Sequence, residues 1–180
     1  MRWSGLARTL FVLSLAGLPL GCTTISSLPR FQLEQPGELL AQTASGRFVL
    51  QGTDGTGQPQ GAQGRFEWLT YGSTNPSRQV LILIGPLGQS VGVLEKVSTN
   101  NSVAVYDHQG LPLGPADRRD VLVQLLGQDA GGQTAERDVD ALLIEVVRFF
   151  GAASIAGQRR AEHGFRLGPA QFTLTVLMDA

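Results

Sequence analysis

The sequence predicts an α+β domain built on an antiparallel β-sheet. Between residues 46 and 107, short segments of apolar and polar residues are separated by glycine-containing turns, which is typical of antiparallel strands. Two segments with apolar residues at helical spacing follow, at 115–127 and 135–150. A last alternating segment at 172–178 places strands after the helices as well as before them.

The start of the chain has the pattern of an export signal. Arg2 and Arg8 flank the beginning of an apolar run at 10–18, which is shorter than the roughly 20 residues that a bilayer span needs. Cys22 is the one cysteine of the chain, and its position just after this run resembles the lipidation site of bacterial lipoproteins. The alternative is an ordinary signal peptide followed by an unmodified cysteine. The predicted divisions are a lipoprotein signal peptide at 1–21, a lipidated tether at 22–45 and a folded domain at 46–180.

The charge balance argues against a nucleic-acid partner. Without Arg2 and Arg8, the 14 basic residues fall to 12 against 15 acidic residues, a net charge near −3. The remaining arginines cluster only as the neighbouring pairs Arg118–Arg119 and Arg159–Arg160. Because phosphate neutralisation needs a concentrated basic face, we expect no nucleic acid to bind.

The predicted strands follow from alternation and from the turns between them. Phe66 and Trp68 share one face of their strand, whereas Val80–Ile84 is apolar on both faces and is expected to be covered on both sides. Val91 and Val93 are expected to share a face, and the glycine-rich residues 52–64 are expected to form a loop. The predicted strands are 46–51, 65–70, 80–84, 91–96, 102–107 and 172–178.

Two predicted helices separate the fifth strand from the last. The first has Pro115 near its start and Gly127 as its stop, and the second is predicted to end at Gly151. Each carries an apolar stripe that must pack on something. That role is open at this point: the stripe either forms core against the sheet or closes an apolar cavity as a lid. His163 follows in a polar stretch that is expected to be a solvated linker.

The motif G-x-S-x-G at residues 88–92 does not predict a serine hydrolase. A nucleophile elbow needs a strand, a tight turn at the serine and then a helix, whereas strand-like residues follow Ser90. His108 and His163 lack the spacing of zinc ligands around either residue. We therefore expect no enzyme, no metal and no cofactor.

Five segments in this order carry a family resemblance: "SGRFVLQ", "QGRFEW", "VLILIGPLGQSVGVLE", "VAVYDHQGLPL" and "ADRRDVLVQLLG". Together, across residues 45–127, they resemble LolB, the family of lipoprotein-sorting receptors of the Gram-negative outer membrane. The resemblance implies an incomplete antiparallel β-barrel, a strongly curved sheet whose apolar concave face is covered by helices. Beyond Gly127 the chain is shorter than is usual in this family.

The resemblance also implies a function. The chain would be an outer-membrane lipoprotein, anchored through Cys22 and facing the periplasm, and Thr23 after the cysteine favours the outer over the inner membrane. It would be a monomer that accepts acylated lipoproteins from a soluble LolA-like carrier and inserts them among outer-membrane lipids. The alternatives are a lipid- or glycolipid-binding outer-membrane lipoprotein without a sorting role, and a structural lipoprotein with a filled core.

Two sets of residues carry this expected function. Leu87 would protrude from the turn that Pro86 and Gly88 help to form and would enter the membrane; the alternative is a leucine folded back onto the sheet. Apolar strand residues would line the acyl-chain cavity, unless they are plain core. These residues are Phe48, Leu50, Phe66, Trp68, Leu81, Leu83, Val93, Phe172, Leu174 and Val176.

Overall fold

The computed structural model of the chain describes residues 31–33, 37–53, 56–72, 78–97, 102–115, 117–118, 121, 136–167 and 170–179. Cys22 and the predicted signal peptide lie outside these residues. The elements are β1 Leu40–Thr53, β2 Pro59–Tyr71, β3 Arg78–Ile84, β4 Ser90–Val97, β5 Val103–Tyr106, α1 Glu136–Ala156, β6 Arg160–Leu167 and β7 Ala170–Met178.

The seven strands form one antiparallel sheet in the order β5-β4-β3-β2-β1-β7-β6. Strands β1 to β5 are connected consecutively, and β7 pairs with the other side of β1. The outermost strands are β5 and β6, so the sheet is open rather than closed into a barrel. The chain crosses from one edge of the sheet to the other between β5 and β6, and α1 lies in this crossing. The described residues confirm an antiparallel sheet with strands before and after a helix, α1. Of the two helices that the sequence predicts, the first lies mostly outside the described residues.

Helix α1 packs on one face of the sheet, which we call the helix-covered face. Its buried residues recur at the spacing of a helical stripe, because 3.6 residues per turn bring them to one side. The ring of Phe150 meets Phe66 at a centroid distance of 4.8 Å and Phe48 at 6.4 Å, both in edge-on geometry. The stripe consists of Val139, Leu142, Leu143, Val146, Val147, Phe150 and Ala153.

The prediction that Gly151 ends this helix is wrong, since α1 continues to Ala156. Gly151 lies inside the helix against the indole of Trp68, which is fully buried. A Cβ at Gly151 would lie 2.9 Å from Cζ2 and 3.0 Å from Cη2 of that ring. The glycine is therefore explained by close helix–sheet packing rather than by termination of the helix.

Residues 52–64, predicted to be a flexible hairpin connection, do connect the two strands of a hairpin, but most of them belong to the strands. Strand β1 runs to Thr53 and β2 begins at Pro59, so the two form a long hairpin. Gly64 pairs with Phe48, and a Cβ on it would lie 2.9 Å from the Phe48 ring and 2.3 Å from the carbonyl oxygen of Ile84. At this position the glycine makes room for an aromatic ring within the sheet.

Strand β1 also begins earlier than expected. It starts at Leu40, so residues 40–45, which were assigned to the tether, belong to the sheet. Residue His163, predicted to lie in a linker, is in β6. Its Nε2 lies 2.7 Å from Oε1 of Glu145 on α1, and its ring stacks on Phe149 at 5.2 Å. This part of β6 is therefore strand, and it contacts the helix through His163.

A second apolar cluster lies on the opposite face of the sheet. It contains Leu69, Tyr71, Val80 and Val93, with Phe31, Ile82 and Tyr106 packed against it. Since Leu81 and Leu83 are buried on the helix-covered face, the prediction that β3 is covered on both sides is confirmed. In the region of the first predicted helix, Pro115, Asp117, Arg118 and Val121 have helical backbone, and the intervening residues lie outside the described part.

Val91 and Val93 do not share a face, contrary to the prediction. Leu83 pairs with Gly92 and Ile84 with Ser90, so Val91 is an extra residue in β4. Such a β-bulge changes the alternation of side chains along the strand. Val91 packs against the helix-covered cluster, whereas Val93 belongs to the second cluster.

The contact between Gly151 and Trp68 gives a testable prediction. Gly151→Ala should destabilise the chain by about 1 kcal/mol, because overpacking of roughly 1–3 kcal/mol exceeds the gain in helix propensity of about 1 kcal/mol. In a Trp68→Phe background, the smaller ring should make the same substitution stabilising. Urea unfolding of the full chain would measure both differences as a double-mutant cycle. Stabilisation by Gly151→Ala in both backgrounds would contradict this packing.

Candidate membrane-facing turn and apolar face

The turn between β3 and β4, residues 85–89, is held by two backbone hydrogen bonds. The amide of Gly88 donates to the carbonyl of Gly85 at 3.0 Å, and the amide of Gly85 donates to the carbonyl of Gln89 at 2.8 Å. Gly88 has a φ of +83°, a conformation that glycine adopts without steric cost. Pro86 fixes its own φ through its ring. We call this element the Leu87 turn.

Leu87 protrudes from this turn. Its side chain is 92% exposed, compared with 73% for Leu39, the next most exposed large apolar residue of the described part. Pro86 and Gly88 beside it are exposed as well. The alternative of a leucine folded back onto the sheet is therefore wrong, and the expected insertion of Leu87 into a membrane stays a prediction.

Nine of the ten predicted cavity residues lie together on the helix-covered face. They are Phe48, Leu50, Phe66, Trp68, Leu81, Leu83, Phe172, Leu174 and Val176, all buried in one cluster with the stripe of α1. The structure separates Val93 from them, because Val93 pairs with Ile82 and lies with it in the second cluster. In this structure the nine residues form core, with α1 packed where an acyl chain would have to lie.

The face opposite α1 carries a shallow depression of about 770 Å³ across β1, β7 and β6. Its lining is rich in threonine, glutamine and arginine side chains, including Gln51, Thr53, Arg166, Gln171 and Thr173. This depression is polar, in contrast to the acyl-chain cavity that the family resemblance implies. Within the described ranges, no group of three His, Cys, Asp or Glu side chains could hold a metal ion.

Ser90 is the first residue of β4, and the strand continues to Val97. The G-x-S-x-G motif thus lies in a strand–turn–strand unit. A nucleophile elbow, which needs a helix after the serine, does not form at this position.

A buried arginine, which the sequence pattern did not indicate, lies at the edge of the second cluster. Arg78 is 2% exposed, and its guanidinium donates to Glu95 at 2.5 Å and to Glu38 at 2.9 Å. It also donates to the backbone carbonyls of Gln32 and Leu33 at 2.5 and 3.1 Å. The sequence offered one indication that Arg78 is buried: it alternates with Val80 and Ile82, so the three side chains lie on the same face of β3.

Aromatic rings complete the environment of Arg78. Its guanidinium carbon lies 4.9 Å from the ring centroid of Tyr71 and 5.4 Å from that of Phe31, within the range of cation–π contact. The amide of Phe31 donates to the carbonyl of Gly110 at 2.7 Å. Residues 31–33, assigned to the tether by the sequence, are therefore bound to the sheet.

The charges in this cluster shift two pKa values. Burial alone would lower the pKa of Arg78, but its hydrogen bond to Glu95 and the charges of Glu95 and Glu38 raise it above the ordinary value. Tyr106 donates its hydroxyl proton to Glu95 at 2.8 Å. Burial, this hydrogen bond and the charge of Glu95 raise the pKa of Tyr106 to about 12, against an opposing effect of Arg78.

The shifted tyrosine can be tested by titration. Ultraviolet titration of the full chain should show Tyr106 ionising near pH 12, a signal that Tyr106→Phe removes. Because the pKa in the folded state is raised, the resulting stability is complete below about pH 10 and is lost as the pH rises through 12. The Tyr106→Phe variant should lack this part of the loss of stability. Ionisation of Tyr106 near pH 10 would contradict the described geometry.

No helix in the described part of the chain has both the length and the apolar character to cross a membrane. No family model matches the chain, and neither the curated proteins nor the solved structures contain a match to it.

Proposed function

We propose that this chain is a lipid-anchored receptor of the outer membrane that accepts acylated lipoproteins from a periplasmic carrier and inserts them into the membrane. The observation that carries the proposal is the exposure of Leu87 at the tip of a hydrogen-bonded turn. Moving an apolar side chain held at such a tip from water into an apolar environment is favourable. Cys22 would anchor the chain, and Leu87 would contact the lipid at the point of delivery.

The energetics of Leu87 suit transient contact rather than anchoring. Moving one leucine side chain from water to an apolar environment is worth about 1.5–3 kcal/mol. That amount biases the orientation of a protein that is already tethered, and it allows the turn to leave the membrane again. The hydrogen bonds of the turn reduce the entropy that would otherwise be lost when Leu87 is held in lipid.

In this proposal, α1 is the cover of the acyl-chain site and the described structure is its closed form. We also propose that the sheet is curved as an incomplete barrel and that its concave side lies under the helix. An acyl chain would replace the stripe of α1 against Phe48, Phe66 and Trp68. The contacts of α1 with the sheet are mainly apolar, so a lipid chain could replace them without leaving many polar groups unpaired.

The two competing occupants of this face have comparable energies. Acyl chains gain about 0.8 kcal/mol per buried methylene, hence about 10 kcal/mol for a dozen methylenes. The six large apolar side chains of the α1 stripe would each contribute about 1.5–3 kcal/mol when buried. Displacement of α1 by cargo is therefore energetically feasible without nucleotide hydrolysis. Delivery would run downhill from carrier to receptor to bilayer.

A transfer assay tests the proposal. The full chain is anchored on liposomes and receives an acylated lipoprotein loaded on the soluble carrier, and the cargo in the liposomes is measured over time. Leu87→Glu should still take cargo from the carrier but should deliver it at least about tenfold more slowly, because a carboxylate opposes entry into lipid.

Leu39→Glu is the matched control, since Leu39 is exposed and adjoins the start of β1, away from the Leu87 turn. This variant should deliver cargo at the rate of the wild type. Equal losses in both variants would remove the specific role of Leu87. If the wild-type chain takes no cargo, the sorting function fails, and a lipid-binding or structural lipoprotein becomes the better account.

A further inference from the structure

The register of the sheet assembles a basic row that is dispersed in the sequence. Arg160 of β6 is opposite Leu177 of β7, Leu177 is opposite Arg47 of β1, and Arg47 is opposite Arg65 of β2. Residues that pair directly across strands point to the same face. This face is the one opposite α1, because the neighbours Phe48, Phe66 and Val176 are buried under the helix. We call Arg47, Arg65 and Arg160 the arginine row.

Two of the three arginines have no ion-pair partner in the described part of the chain. Arg160 is ion-paired with Glu162, whereas neither Arg47 nor Arg65 forms an ion pair within the described residues. Both are exposed, and they lie directly opposite each other on adjacent strands. Like charges in this arrangement repel and destabilise the pair. Binding of an anion between them would relieve that repulsion.

The row begins beside the Leu87 turn. Arg65 is paired with Ile84, and Ile84 immediately precedes the turn. Leu87 is three positions after Ile84, so the two Cα atoms are about 10 Å apart at most, and adjacent strands are about 4.8 Å apart. Leu177, which lies in the row between Arg160 and Arg47, is 38% exposed. Apolar and cationic side chains thus occur together near one turn.

We propose that Arg47 and Arg65 bind the phosphate groups of anionic lipids when Leu87 enters the membrane. This inference rests on the proposed membrane contact of Leu87 and assigns the lipid class that the contact selects. A guanidinium presents two parallel N–H donors to a phosphate, and two opposed arginines present them from both sides. With Leu87 in the acyl region, Arg65 and Arg47 would lie roughly 11 and 14 Å from it at most, near the phosphates of the interface. An acidic protein surface is the competing occupant.

The test is an NMR titration of the full chain in neutral phosphocholine micelles. Short-chain phosphatidylglycerol is added in one series and short-chain phosphatidylcholine in another, and the Nε–Hε signals of the arginines are followed. The signals of Arg47 and Arg65 should shift and saturate with phosphatidylglycerol only. The double variant Arg47→Gln/Arg65→Gln should weaken the apparent affinity for phosphatidylglycerol about 30-fold, because each of the two charges contributes somewhat more than about fivefold. Added salt should weaken the response of the wild type.

Arg148→Gln/Arg166→Gln is the control, because it removes two exposed charges, one from α1 and one from the far end of β6, with the same change in net charge. It should retain the wild-type affinity. Equal responses to both lipids, or an equal loss in both double variants, would overturn the inference. So would a response of Arg47 and Arg65 to soluble polyglutamate without one to phosphatidylglycerol, which would identify an acidic protein surface instead.

The titration uses no cargo and no carrier, so its result is separate from that of the transfer assay. A phosphatidylglycerol-specific shift together with failed cargo transfer would retain the lipid site and reject the sorting function. If transfer depends on Leu87 as expected but the signals of Arg47 and Arg65 do not shift, the sorting function is retained and the lipid site is rejected.

Discussion

The packing of α1 across one face of the open sheet is the contact on which the rest of the structure depends. The sheet is open, with β5 and β6 as its outermost strands, and the chain must pass from β5 at one edge to β6 at the other. The crossing places α1 over the apolar face, where Phe150 meets Phe48 and Phe66 and where Gly151 allows Trp68 to approach the helix backbone. Without this cover, a broad apolar surface would face water.

The packing of α1 also bears on the proposed function. If α1 stays on the helix-covered face, that face is core; if α1 can move away, the face can bind an acyl chain. Because the helix contributes mainly apolar side chains, an acyl chain offers the sheet a chemically similar replacement. His163 and Glu145 add a polar contact between α1 and β6 at the edge of this interface, which would have to break if the helix moved away.

On the opposite face, Arg78 fixes the segment that precedes β1. It joins Gln32, Leu33 and Glu38 to Glu95 in the sheet. Eight residues lie between Cys22 and Phe31, which span about 30 Å when extended. A lipid on Cys22 would therefore hold the domain near the membrane surface. Under the proposed function, such a short connection would raise the effective concentration of the Leu87 turn at the membrane surface.

The sequence by itself determined the α+β order, most strands, the helical stripe and an apolar tip on the Leu87 turn, because these depend on local alternation and turn residues. Only the tertiary structure decided which face each residue occupies and which glycines lie inside elements. The bulge at Val91 put Val91 on the helix-covered face and left Val93 on the other, and Gly151 lies within a helix where it packs against Trp68. Arg78 became buried, and Arg47, Arg65 and Arg160 became neighbours, through pairings between strands that lie far apart in the chain. Register and burial are properties of contacts between distant segments, and no local pattern contains them.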